Sequence, residues 1–250
     1  MSKIIGVLNY KGGTGKTTTV VSLAAGLARR GKRVLCVDLD AQGAVATYLD
    51  VDYPFSLSHL LLGQVELPAC IVRARNDLDL IASDRSLARV ERQLWRMDDR
   101  WKATRKLADK MCELEGYDYV FLDFSPSAGI VGECGLQCAQ ELIVPVAMDY
   151  LALVGARQVI ETLEIAAEAP LNPLELSMIV PTFYREQLRK DREILDMLER
   201  YFGGKVTQPV RRDVKLSEAP SFGMSIFEYA PQSAGAADYM RLVERIASDG

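Results

Sequence analysis

The segment that most limits what this chain can fold into is Lys11-Gly12-Gly13-Thr14-Gly15-Lys16-Thr17-Thr18. It follows a β-rich run, Lys3–Asn9 (KIIGVLN). It precedes a helical period over Thr18–Arg30 in which Val20, Leu23, Ala24 and Leu27 share one side, closed by Gly31. A glycine-rich turn between a buried strand and a helix lets backbone N–H groups converge, and the positive end of the helix points at the same spot. The ligand such a turn accepts is an anion, a phosphate above all. Lys16 adds a point charge for the terminal phosphates, and the Thr17 hydroxyl is a ligand for Mg2+. The strict GxxxxGK[ST] spacing would put its first glycine on Tyr10, and a GxGxxG dinucleotide pattern fails at Thr18. What remains is a variant phosphate loop with an additional lysine, Lys11, ahead of the glycines.

The rest of the chain continues the alternation. Arg33–Asp38 (RVLCVD), Leu78–Ala82, Tyr117–Phe124 (YDYVFLDF), Glu141–Val146 and Leu176–Pro181 predict strands. Asp84–Glu115, Leu153–Ala169, Arg189–Phe202 and Ala236–Ser248 predict helices. With no Pro/Ser linker and no repeat, this is an α/β pattern: one domain over residues 1–250, a doubly wound, mostly parallel sheet with the phosphate loop after its first strand. In such a sheet the strand ends gather at the carboxyl edge beside the loop. Asp123 ends the apolar strand Val120–Leu122, where an aspartate supports Mg2+. Asp38 ends the strand after the first helix, in Val37-Asp38-Leu39-Asp40, and period two puts Asp38 and Asp40 on one face. An acidic residue there could orient an attacking water.

Composition removes several alternatives. Apolar residues make up 49% and charged residues 26%, which excludes disorder as the main state. Thirty basic against thirty-four acidic residues exclude a polybasic nucleic-acid coat, so any such contact needs a local patch. Five scattered cysteines without a CxxC pair, and His59 as the single histidine, argue against zinc, a disulfide framework and a histidine-based triad. Reduced thiols and the lack of an apolar run of membrane-span length predict a cytoplasmic protein without a membrane partner. The local patch is 185–215, with nine basic and six acidic residues. Arg185, Arg189, Lys190, Arg212 and Lys215 are its candidates for gripping DNA phosphates without reading sequence. A second basic excess at 73–106 contains Trp95 and Trp101, but Leu87, Val90, Leu94 and Met97 recur at helical spacing, so it reads as a helix face with apolar anchors.

The loop KGGTGKTT, the segment VDLDAQG (Val37–Gly43), the strand end FLDFSPSAG (Phe121–Gly129) and VKLSEAPSFG (Val214–Gly223) together resemble the ParA family of deviant-Walker ATPases, over roughly residues 2 to 247. The loop alone is shared with MinD and the nitrogenase iron protein; LSEAPSFG and the Ser233–Tyr239 stretch are specific to the ParA side. The resemblance implies an ATP- and Mg2+-dependent homodimer in which Lys11 reaches the partner's phosphates. Gly12, Gly13, Thr14, Gly15, Lys16, Thr17 and Thr18 would hold the nucleotide, Thr17, Asp38 and Asp123 would serve the metal, and Asp38 would position the hydrolytic water. By the same resemblance the adenine would lie near Pro181-Thr182-Phe183 and Val210-Arg211. It further implies non-specific binding of double-stranded DNA on the nucleoid, release by a ParB-like or other cargo adaptor, and positioning of a plasmid, a chromosome origin or a compartment such as the carboxysome. The alternative is a MinD-like membrane-cycling ATPase, which needs a terminal amphipathic helix that Arg241–Gly250 does not provide. Ala41, Gly43-Ala44-Val45-Ala46 and Ser125-Pro126-Ser127 depart from the usual family residues, yet every charged phosphate-site residue is in its expected position.

Overall fold

The computed structural model describes residues 2–96, 109–110, 114, 116–127, 129–167 and 174–248. Seven strands, β1 (Lys3–Val7), β2 (Val34–Asp38), β3 (Ile71–Arg75), β4 (Leu78–Ile81), β5 (Tyr119–Asp123), β6 (Glu141–Ala147) and β7 (Glu175–Thr182), form one sheet in the order β3-β4-β2-β5-β1-β6-β7. All neighbours run parallel except β3 and β4. The expected doubly wound, mostly parallel α/β sheet is therefore present.

Strand residues alternate between two apolar layers, as period two requires. Ile4, Leu35, Val37, Val120 and Leu122 pack on one side with residues of the helices Leu87–Trp95, Ile130–Cys138 and Arg189–Phe202. Ile5, Val7, Val34, Cys36 and Phe121 pack on the other, with helix α1 (Lys16–Ala28) and helix Ala234–Ser248. Burial on both faces explains why the central strands are nearly unbroken apolar runs. Helix α1 is set by this packing: Val20, Leu23, Ala24 and Leu27 are fully buried, and burying each Leu or Val side chain contributes about 1.5–3 kcal/mol.

Helix Arg189–Phe202 has the predicted bounds, and α1 begins two residues earlier than its apolar period, at Lys16. The predicted helix Asp84–Glu115 is present over Leu87–Trp95, with Leu87, Val90 and Leu94 buried. Its continuation through Met97 and Trp101, and Cys112, lie outside the described residues. Two differences are informative. Strand β3 was not anticipated; it pairs antiparallel with β4 across Asn76-Asp77, and Asp77 turns left-handed at φ +56°. Strand β2 stops at Asp38, so Asp40 is not the next residue on its face. Asp40 instead accepts the Gln42 N–H on its carboxylate at 3.0 Å and the Gly43 N–H on its carbonyl at 3.0 Å, forming a turn.

Candidate functional site

β1 lies between β5 and β6, so the sheet grows outward from it in both directions and a crevice opens beyond its carboxyl end. The glycine-rich loop spans that crevice. Gly13 and Gly15 have φ values of +73° and +89°, a region that side chains disfavour. A Cβ at Gly12 or Gly13 would meet nothing within 4 Å, so this stretch of loop faces open space. Helix α1 starts at Lys16 with no side-chain cap and no acidic residue in its first turn, which leaves its N–H groups and positive end available to an anion. Asn9 is buried and braces the loop entrance: its amide donates to the Pro145 carbonyl at 2.8 Å, and its oxygen accepts the Lys11 N–H at 2.9 Å.

The charged groups converge. Lys16 is 8% exposed and its ammonium donates to the Lys11 carbonyl at 3.2 Å. Burial lowers its pKa, against the opposing pull of Asp123 and Asp40. The Thr17 hydroxyl donates to Asp123 Oδ2 at 2.7 Å. Asp38 and Asp123 are register partners on adjacent strands and both are buried. Burial, and then the neighbouring Asp123, raise the Asp38 carboxyl well above the ordinary carboxylate range. Asp38 Oδ1 accepts the Asp40 N–H at 2.9 Å and Oδ2 the Val45 N–H at 3.0 Å, so it ties the strand end to the following turn and helix. Burial also pushes Asp123 up to about 7, although the Thr17 hydroxyl and the Lys16 ammonium hold it down in part. Asp123 Oδ1 is buried with no hydrogen-bond partner. A buried, unsatisfied carboxylate oxygen beside a threonine hydroxyl fits a hard, oxygen-seeking divalent cation.

Lys11 reaches Asp149, whose two carboxylate oxygens each lie 2.6 Å from its ammonium. Asp149 stands just past β6 at the same sheet edge, where sequence reasoning missed it; its signal was a carboxylate directly after an apolar strand. A cleft of about 610 Å³ opens from Gly13, Gly15 and Thr18 toward Thr182, Phe183 and Val210. Pro181 is not on its wall; its carbonyl accepts the Val210 N–H at 2.8 Å and holds that wall together.

The five basic candidates do not form one stripe. Arg185, Lys190 and Arg212 line the nucleotide-side cleft. Lys190 donates to the Met148 carbonyl at 2.5 Å, and Arg185 lies 3.5 Å from Asp191. Arg189 pairs with Glu193 at 2.7 Å. Lys215 pairs with Glu218 at 2.9 Å and sits over the Tyr229 ring. Cys36, Cys70, Cys134 and Cys138 are buried, and Cys134 and Cys138 bond back to carbonyls of their own helix.

Comparison with known proteins agrees with this geometry. A family model described as an AAA domain matches residues 2–176. The chain is 39% identical to the chromosome-partitioning ATPase Soj of Thermus thermophilus, over 97% of this chain and 94% of that one. It is 32% identical to the sporulation initiation inhibitor protein Soj of Bacillus subtilis over the full length of both. Among solved structures, cobyrinic acid a,c-diamide synthase from Mycobacterium smegmatis with bound ADP and magnesium superposes with a TM-score of 0.82 at 32% identity, covering 99% of this chain and 94% of that one. With the phosphate loop, the paired aspartates and the additional lysine in register on this sheet, the chain belongs to the ParA/Soj family of deviant-Walker ATPases.

Proposed function

We propose that this chain is an ATP-hydrolysing partition protein that works as a nucleotide-dependent homodimer. The observation that carries the reading is the convergence of Lys16, Thr17, Asp38 and Asp123 on one crevice, with Lys11 held at its mouth by Asp149. The loop N–H groups and Lys16 bind the β- and γ-phosphates, and Thr18 lies toward the α-phosphate. Thr17 and Asp123 would hold Mg2+, whose charge would offset that of the phosphates. Each oxygen of Asp38 accepts one backbone N–H and has capacity for a second hydrogen bond, which suits it to orient the attacking water.

Lys11 supplies charge in trans. Its bridge to Asp149 is partly exposed, at 29% and 45% for the two side chains, and such pairs contribute about 1 kcal/mol or less. Lys11 therefore leaves at little cost when a partner's triphosphate comes within reach. Hydrolysis then depends on dimerisation, because the charge that stabilises the transition state comes from the neighbouring copy. The ATP-bound dimer binds double-stranded DNA without sequence preference through the basic residues of 185–215 that lie outside the cleft, Arg189 and Lys215 among them, doubled by the second copy. A ParB-like or other cargo adaptor stimulates hydrolysis and releases it. The consequence is nucleoid-associated positioning, in the cytoplasm, of a plasmid, a chromosome origin or a protein compartment.

Sedimentation with a non-hydrolysable ATP analogue and Mg2+ tests this. The wild-type chain should form dimers and Lys11→Ala should remain monomeric while still binding the analogue. A monomeric wild type refutes the reading.

A further inference from the structure

Arg85, Arg89, Arg92 and Arg96 recur at steps of four, three and four along the helix Leu87–Trp95 and its two ends, and none of the roles above uses them. That spacing keeps them in one line, on the side of the helix opposite Leu87, Val90 and Leu94, which are buried in the core. All four arginines are exposed. At the rise of a helix the line runs about 16 Å. None of the four borders the nucleotide-side cleft.

The line keeps its charge because the two acids of the same segment are engaged elsewhere. Asp84 accepts the Ser86 N–H at 2.8 Å, and Glu91 Oε1 accepts the Val131 N–H at 3.3 Å, at the start of helix Ile130–Cys138. Arg92 Nε donates to the Ala88 carbonyl one turn back, at 3.2 Å. Among the described residues, Arg85, Arg89, Arg92 and Arg96 form no ion pair, whereas Arg73, Arg75, Arg189 and Arg211 each have a carboxylate partner. Trp95 flanks the line and is 51% exposed. Arginine and tryptophan are enriched among the residues that anchor protein interfaces. A planar guanidinium takes a carboxylate through two parallel hydrogen bonds. A straight line at this spacing faces a second helix laid alongside, whose own side chains recur at the same steps. A nucleic-acid duplex presents phosphates and sugars there, and gives an exposed indole little apolar surface to cover.

We propose that Arg85, Arg89, Arg92 and Arg96, with Trp95 beside them, form a docking strip for an acidic helix of a partner protein. Each guanidinium takes one carboxylate of the partner, and the indole covers an apolar side chain next to them. Fluorescence anisotropy with three labelled probes tests this: a helical peptide with glutamates at the same four-three-four spacing and a flanking leucine, a scrambled peptide of equal composition, and a DNA duplex. The wild-type chain should bind the patterned peptide about tenfold more tightly than the scrambled one, with affinity falling as salt rises. The double variant Arg89→Glu/Arg92→Glu should lose about tenfold or more of that affinity. It should keep the wild-type melting temperature and the wild-type affinity for the duplex, since the substituted side chains are exposed and lie outside 185–215. Arg89→Lys/Arg92→Lys should weaken the peptide by about threefold, because lysine keeps the charge and loses the paired hydrogen bonds. A patterned peptide that binds no better than the scrambled one, or that binds the glutamate variant as well as wild type, overturns the proposal. Loss of duplex affinity in the glutamate variant with peptide binding unchanged assigns the strip to nucleic acid and overturns it as well.

Discussion

Asp123 offers a measurement in which site chemistry and fold stability meet. Its carboxyl is 1% exposed, and burial raises its pKa from 3.8 to about 7. Below about pH 4 the proton is on in both folded and unfolded chains, and no penalty arises. As pH rises toward about 7 the unfolded chain releases the proton while the folded chain retains it, so stability falls through that window. A displacement of about three pH units at about 1.4 kcal/mol each sets a ceiling of about 4 kcal/mol. Asp38, its register partner, shares the same deficit of counter-charge, so replacing Asp123 alone should recover about half, ~2 kcal/mol. Asparagine cannot ionise and keeps an oxygen for the Thr17 hydroxyl. In EDTA and without nucleotide, Asp123→Asn should melt about 4–8 °C above wild type at about pH 8, with the gap closing near pH 4. Adding Mg2+ and nucleotide should reverse the order, because only the wild type gains ligand-linked stability. Thermal and urea melts across this pH range decide the matter. An asparagine variant less stable than wild type at pH 8, or a gap that ignores pH, refutes the argument.

Asp38→Ala should still form ATP-bound dimers while phosphate release falls by about 100-fold or more, the scale for losing a group that orients the reaction; turnover at the wild-type rate removes Asp38 from the water-positioning role. Lys215→Glu should weaken DNA binding and reduce the slope of log affinity against log salt by about one per lost phosphate contact, leaving DNA-free ATP turnover unchanged; an unchanged slope moves the interface elsewhere.

The framework was legible because it depends on local signals. Apolar runs bounded by charged or glycine residues marked β1, β2, β4, β5, β6 and β7, and helix Arg189–Phe202 has the bounds its period indicated. Strand β3 escaped because Ile71-Val72-Arg73-Ala74-Arg75 is short and charged; the tight turn Asn76-Asp77 before β4 was the overlooked hairpin cue. Within the site, the loop and Asp123 could be read from the chain, since each combines a motif with a strand end. Asp149 could not: it comes to the loop only after β6 is laid beside β1. The misplaced expectation was Asp40, where extending the strand period past Asp38 ignored the competing hydrogen bond from the Gln42 N–H.

The flanks of the sheet bear on how copies of this chain meet. The ladder between β3 and β4 is interrupted at Arg73/Arg75. Arg73 is drawn to Asp79 at 2.6 Å, and Arg75 is drawn to Glu228 at 2.7 Å. An incoming strand would meet charge and broken spacing there. On the opposite flank Val206 bridges to Ile179 and shields part of β7. Both flanks therefore disfavour edge-to-edge backbone pairing between molecules. A homodimer of the kind proposed above would then have to close through side chains and loops and not through a shared sheet, a joint that can open again without unpicking any strand.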